Sequence, residues 1–251
     1  MNLSETWMIA EDELLRSPKI RYLLSTSGIF VFLCLLLIHY SASLLSLFPF
    51  ENDVNIPHYL ISYLLVLFLA PFVVMVASYD FISNEMETGS IRYVISKIDR
   101  TSFILGKFLT LFIVFTFVVS AIAVMGSIYA YFSGNAPHIG ETVLFWILSS
   151  LYLGCFVSIF LFISTLSENN KTSFLMSIVF IIILLFLFIQ GYGNYLKYLT
   201  PYFYGIENIG IFRGSLHDVE FIKLLRNIFM MILYTTLFLS MGLFAIKRRD
   251  L

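Results

Sequence analysis

Long apolar runs separated by short polar interruptions dominate the chain. A helix crossing the hydrocarbon core of a bilayer needs about 20 predominantly apolar residues. Six runs meet that length approximately: Tyr22–Phe48, Tyr59–Tyr79, Phe103–Phe132, Thr142–Leu166, Ser173–Gln190 and Ile228–Ile246. None carries Lys, Arg, Asp or Glu near its middle, and Lys107 sits close to the start of the third. The pattern predicts an all-α integral membrane protein with six transmembrane helices, built as one domain over residues 1–251. Pro71 interrupts only the second run. No matched break appears in the other half, as an inverted-repeat transporter would often show.

Three segments outside the runs have patterns of their own. In residues 1–18, Leu3, Trp7, Ala10 and Leu14 share one helical face, flanked by Met8 and Leu15. Glu5, Asp12, Glu13 and Arg16 point the other way, and Ile9 falls on that polar side. With Ser4 as N-cap and Ser17-Pro18 as stop, this predicts an amphipathic helix along the membrane surface, anchored by Trp7 at headgroup level. Residues 84–102 form the most charged interruption. Within it, Ile91, Val94, Ile95 and Ile98 follow at i, i+3, i+4 and i+7, the stripe of a short helix, with Arg92, Ser96 and Lys97 facing elsewhere. Gly89 breaks the preceding turn, Ser90 is placed to cap this helix, and Asp99, Thr101 or Ser102 to cap the next. So short a helix is not stable alone, and its apolar face must be buried against something. The third segment, 191–227, is too polar to span and too apolar for a free loop. One or two short helices are expected there.

Composition agrees with lipid as the main solvent. Hydrophobic residues make up 59% of the chain, charged residues only 12%, and the mean hydropathy is +0.91. Soluble domains carry about 25% charged residues. A formal net charge of −1 speaks against nucleic acid as a partner. The acidic start is unlike a secretory signal, so the first run is expected to stay as a span. Basic residues then set the sidedness. With both termini on one side, eleven of the fifteen Lys and Arg residues fall there: Arg16, Lys19, Arg21, Arg92, Lys97, Arg100, Lys107, Lys171, Lys247, Arg248 and Arg249. The other side holds Lys197, Arg213, Lys223 and Arg226, while the loops "PFENDVNIPH" and "SGNAPHIGE" hold neither residue type. A multi-pass protein of the cytoplasmic membrane is expected, with both termini and the 84–102 loop cytoplasmic.

Catalytic patterns are missing from the chain. It has no G-x-x-x-x-G-K-[ST] phosphate loop, no HExxH and no GxSxG. No catalytic residue, metal site or cofactor is expected. Cys34 and Cys155 lie inside apolar runs, without CxxC spacing, and read as packing residues. His39, near the far end of the first span, and Gln190, ending the fifth, are the polar groups with room for a further role. Asp80, Glu85 and Glu87 hint at a cation site, but their place at the cytoplasmic end of the second span fits surface or partner-facing groups better.

The stretch "NEMETGSIRYVISKIDRTSFILGKFLTLF" resembles the cytoplasmic loop of the type-2 ABC transporter permeases. That loop runs from a Glu through a Gly-Ser/Thr pair and a short apolar helix to a Pro-x-Ser-Arg turn and Gly-Lys. Glu85 or Glu87, Gly89-Ser90, Ile91 to Ile98, Arg100 and Gly106-Lys107 match, while the turn itself reads "KIDR", without its Pro and Ser. "LTPYFYG" from Leu199 and the closing "FAIKRRDL" resemble further motifs of the family. The resemblance spans essentially the whole chain. It implies an exporter-like fold in which two permeases pair and two separate cytoplasmic ABC ATPase subunits dock beneath them. The loop is then a coupling helix, meeting the ATPase through its isoleucine stripe or its polar edge. The contact residues implied are Glu85, Glu87, Gly89, Ser90, Ile91, Arg92, Val94, Ile95, Lys97, Ile98 and Arg100. Two other classes, an ion-coupled secondary transporter and a membrane-embedded enzyme or assembly factor, would place polar or ionisable groups at mid-membrane.

Overall fold

The computed structural model describes residues 3–40, 58–132, 139–191, 194–210 and 221–248, and no strand occurs among them. The helices are α1 (Leu3–Arg16), α2 (Pro18–His39), α3 (His58–Ser78), α4 (Ser83–Glu87), α5 (Ile91–Ile95) and α6 (Arg100–Phe132). They continue with α7 (Ile139–Leu166), α8 (Asn170–Gln190), α9 (Pro201–Glu207) and α10 (Phe221–Arg248), and a 3-10 turn covers Tyr195–Leu199. Among the described residues, five stretches are long and apolar enough to cross a membrane: Ser62–Glu87, α6, α7, α8 and α10. A shorter apolar stretch, Leu23–Leu36, lies within α2. The predicted first run beyond Tyr40 lies outside the described residues, as does most of the two loops without Lys or Arg. The all-α membrane architecture therefore holds, and two short helical elements stand where residues 191–227 predicted them.

Helix α7 is the axis of the bundle, with α3, α6 and α10 packed around it. Its sequence "SSLYLGCFVSIF" alternates small residues with aromatics, and nearly all of it is buried. Small residues let helices approach where no hydrophobic force drives them together. A Cβ on Gly154 would stand 3.1 Å from the Phe112 ring of α6. Helices α8 and α10, by contrast, leave most of their apolar surface outside the bundle.

Pro71 within α3 shows how the bundle absorbs a helix breaker. Proline has no N–H, so the carbonyl four residues earlier, that of Leu67, loses its donor. The buried Tyr152 hydroxyl of α7 donates to that carbonyl at 2.9 Å. A neighbouring helix thus satisfies the freed group, as an apolar surrounding requires.

At one end of the bundle, α9 starts with Pro201 at its first turn and lies over the ends of α3 and α10. Tyr63 donates to the Gly205 carbonyl at 3.1 Å, and Asn227 donates to Asn208 at 2.8 Å. Arg226 and Glu207 form an ion pair there. His39 places Nδ1 3.2 Å from the Tyr129 hydroxyl, while Gln190 is exposed. The opposite end carries α1, α4 and α5. Helix α6 has 33 residues. At about 1.5 Å per residue it is about 50 Å long, against a hydrocarbon core of about 30 Å. The excess length leaves room for α1 to dock on its first turns, around Gly106.

Candidate functional site

The segment after α3 is tied down by side chains from other helices. The chain leaves regular helix between Tyr79 and Ile82, where the N–H groups of Tyr79 and Phe81 still reach the carbonyls of Met75 and Ser78. The Ser164 hydroxyl of α7 accepts from the N–H groups of Ile82 and Ser83, at 3.1 and 2.9 Å. Ser83 then donates to Asn170 Oδ1 at 2.8 Å, and Asn170 Nδ2 donates to Asn84 Oδ1 at 3.0 Å. Glu87 accepts the Asn170 N–H at 2.9 Å. A carboxylate there satisfies an orphan donor of the first turn of α8 and faces the positive end of its dipole. Asp80 pairs with Lys19 of α2 at 2.8 Å.

Gly89 adopts φ +71°, the left-handed conformation that a side chain would strain, and turns the chain from α4 into α5. The Ser90 hydroxyl sits 3.0 Å from that of Thr88 and 3.4 Å from the Glu85 carbonyl. Helix α5 is shorter than the stripe suggested, five residues followed by turns. Its periodicity is nonetheless that of the sequence. Ile91 is buried, and Ile95 and Ile98 pack on the core of the same chain. The Val94 side chain lies outside the described set. Arg92, Tyr93, Ser96 and Lys97 are exposed, Tyr93 at 80%.

The "KIDR" turn holds without its proline. The Thr101 hydroxyl donates to the Asp99 carboxylate, and this hydrogen bond keeps the Asp99 carboxyl below its usual range. The Asp99 N–H donates to Glu5 of α1 at 3.4 Å. Arg100 donates to the carbonyls of Ile246 and Lys247, at 3.0 and 3.3 Å, closing the end of α10. Of the charged residues nominated from sequence, Glu85, Glu87 and Arg100 thus hold the chain to itself. Arg92 and Lys97 project outward.

Two residues of the matched motif that were not among the expected contacts, Gly106 and Lys107, organise this end. Lys107, 3% exposed, pairs with both Glu13 of α1 and Glu85 of α4. Its ammonium also lies 4.8 Å from the centre of the Phe81 ring and 5.5 Å from that of Phe103. Beside it, Gly106 lets α1 lie directly on α6. A Cβ there would come within 2.7 Å of Ile9 Cβ and 3.1 Å of the Thr6 carbonyl oxygen. Ile9, which breaks the amphipathic pattern, is therefore a docking residue of α1, together with buried Thr6 and Ala10. Leu3, Trp7, Met8 and Leu15 remain exposed. The signal for Lys107 was present in the sequence: a lysine at the start of an apolar run needs carboxylate partners. Acidic residues precede it in both neighbouring polar segments.

Between α1 and the loop runs an open groove of about 600 Å³, reaching from Met8 and Leu15 to Ile98 and Phe103 and touching Glu85 and Lys107.

No curated protein matches the chain. The family model described as "ABC-2 family transporter protein" matches residues 7–251. With almost the entire length matched, from within α1 to beyond α10, the chain belongs to the ABC-2 family of transporter proteins.

Proposed function

We propose that the chain is the permease subunit of an ATP-driven exporter in the cytoplasmic membrane, formed by residues 1–251 as one domain. It pairs with a second permease, a copy or a homologue, and two separate ABC ATPase subunits hydrolyse the ATP. Both termini and the 84–102 loop face the cytoplasm, the side richer in Lys and Arg. Trp7, exposed on the outer face of the docked α1, anchors that helix at the headgroups.

One observation carries the coupling role of the loop. Its polar face, Arg92, Tyr93, Ser96 and Lys97, is solvent-accessible, while Ile91, Ile95 and Ile98 pack on the bundle. Glu87 reaches α8, Glu85 reaches α6 and Arg100 reaches α10. A force applied to α5 therefore passes into three membrane helices rather than into a loose loop. This favours the polar edge as the ATPase contact, with the isoleucine stripe as its internal seat. Coupling also requires that the ATPase bind the loop differently in its different nucleotide states.

The test is purification of the native chain from its membranes beside a variant carrying Arg92→Glu and Lys97→Glu. These exposed positions can change sign without touching the core, whereas an aspartate at Ile91 would disturb packing. An ABC ATPase that accompanies the native chain and is lost with the variant supports the proposal. A native preparation active in transport but free of any ATPase overturns it.

A further inference from the structure

Three charged side chains lie at a depth where hydrocarbon alone would not hold them. Helix α6 sets the scale. At Gly106 and Lys107 it carries the amphipathic α1, and toward its other end Tyr129 meets His39. From Lys107 to Tyr129 it rises about 33 Å, matching a hydrocarbon core of about 30 Å. Helix α7 runs antiparallel to it, with Gly154 at the Phe112 ring and the Trp146 indole donating to Ser120 at 2.8 Å. Cys155 of α7 in turn donates to the Met231 carbonyl of α10 at 3.1 Å. Met231 is therefore near the level of Phe112. Arg226, five residues closer to the α9 end, stands about 15 Å above Lys107, in the middle of the core.

Helix α9 and the turn before it share that depth. Asn227 donates to Asn208 at 2.8 Å, and Arg226 pairs with Glu207. The Tyr198 carbonyl accepts from Tyr234 of α10 at 2.8 Å, two turns farther in than Arg226, which keeps the Tyr195–Leu199 turn from rising to the membrane surface. Lys197 of that turn holds its ammonium 5.3 Å from the centre of the Tyr198 ring and 5.2 Å from that of Phe203. Among the described residues no carboxylate pairs with it, so Lys197, Glu207 and Arg226 together carry one net positive charge. The cluster is reachable, since Lys197 is half-buried and the Arg226 side chain is 43% exposed. Beside it Leu199, Leu225 and Phe229 are exposed.

A cation at this depth calls for a charged partner or water. Here an unmatched positive charge adjoins open apolar surface, which suits a molecule with an anionic head and hydrocarbon chains. We infer that the Lys197–Glu207–Arg226 cluster binds the phosphate headgroup of an anionic lipid at mid-membrane depth, with its acyl chains on Leu199, Leu225 and Phe229. The Arg226 guanidinium and the Lys197 ammonium both donate to the phosphate oxygens, and the rings of Tyr198 and Phe203 hold Lys197 in place. Cargo and resident lipid share this chemistry. The cargo role rests on the proposed function; the site itself does not.

Photo-labelling of the full chain in phosphatidylcholine vesicles tests this. One set carries a photoactivatable phosphatidylglycerol and the other a photoactivatable phosphatidylcholine, each with a diazirine in one acyl chain. Peptides covering 194–210 and 221–234 should take up at least three-fold more of the phosphatidylglycerol, while α6 peptides take up both alike. Lys197→Gln, and separately Arg226→Gln, should abolish the preference, and Lys197→Arg should keep it. Equal labelling by the two lipids, or a preference indifferent to both glutamine variants, overturns the inference. So does a preference that inorganic phosphate alone removes, because the ligand is then a free anion. In a preparation containing the ATPase, a preference that falls on adding MgATP identifies cargo and one that persists identifies resident lipid; both support the site. Absence of an ATPase from a preparation active in transport overturns the proposed function and leaves the site standing.

Discussion

Gly106→Ala adds one methyl group at the contact that holds α1 on α6. The new Cβ would stand 2.7 Å from Ile9 Cβ, 2.8 Å from Ile9 Cγ2 and 3.1 Å from the Thr6 carbonyl oxygen. Ordinary carbon contacts lie at about 3.5–4.0 Å. A rotamer change at Ile9 cannot move its Cβ, so the backbone of α1 must retreat by about 1 Å. Overpacking of this kind costs about 1–3 kcal/mol. At about 1.4 kcal/mol per tenfold change, the open state of α1 rises by about 5- to 150-fold. A 14-residue helix is marginal once it leaves its support. Hydrogen–deuterium exchange of the chain in lipid nanodiscs should therefore show faster exchange in the 3–16 peptide by that factor, with α7 peptides unchanged. Gly28→Ala is the matched control. Nothing lies within 4 Å of its new methyl group, and alanine suits a helix interior better by about 0.5–1 kcal/mol. Unchanged exchange of the 3–16 peptide in Gly106→Ala, within two-fold, would refute the close-contact reasoning.

Lys107→Met leaves Glu13 and Glu85 facing each other without a cation. Breaking a buried pair costs about 3–5 kcal/mol, and because both carboxylate side chains are about one-fifth exposed the loss should be nearer about 2–3 kcal/mol. The thermal midpoint in detergent should drop accordingly and recover when Glu13→Gln and Glu85→Gln are added. A triple variant no more stable than the single one would contradict the pairing. Tyr152→Phe leaves the Leu67 carbonyl without a donor and should cost about 1–2 kcal/mol in the same assay. In a Pro71→Ala background the helix supplies its own N–H, so the tyrosine change should become nearly neutral, a coupling that a double-mutant cycle measures. Asp99 has its folded pKa lowered below the ordinary 3.8 by the Thr101 hydroxyl. Its contribution is therefore complete above that ordinary value and lost as pH falls through the lowered folded one. Midpoints of native chain and Asp99→Asn should differ by a constant amount between about pH 6 and 8 and converge below about pH 4.

Hydrophobic run length and low charge identified the membrane helices from the chain alone, because a span must bury its backbone within itself and needs nothing from its neighbours. The isoleucine spacing of residues 91–98 likewise told that one face of α5 is buried, since periodicity encodes a face. It does not encode what covers that face, and the tertiary structure placed Ile91, Ile95 and Ile98 against the chain's own core. Ile9 looked like a flaw in an amphipathic helix because a helical projection assumes one apolar partner. Helix α1 has a contact surface on α6 as well as an exposed apolar surface, so Ile9 belongs to a second face. The same limit governed the charges. Local sequence gave Glu85, Glu87 and Arg100 as polar residues of one loop, but their partners lie 22, 83 and 146 residues away. Only folding brought Lys107, Asn170 and Ile246 to them. Run length and periodicity were enough to mark the long apolar helices and the short helices beside them. The pairings at the loop end, through which a docked partner would act, were decided by contacts between distant segments.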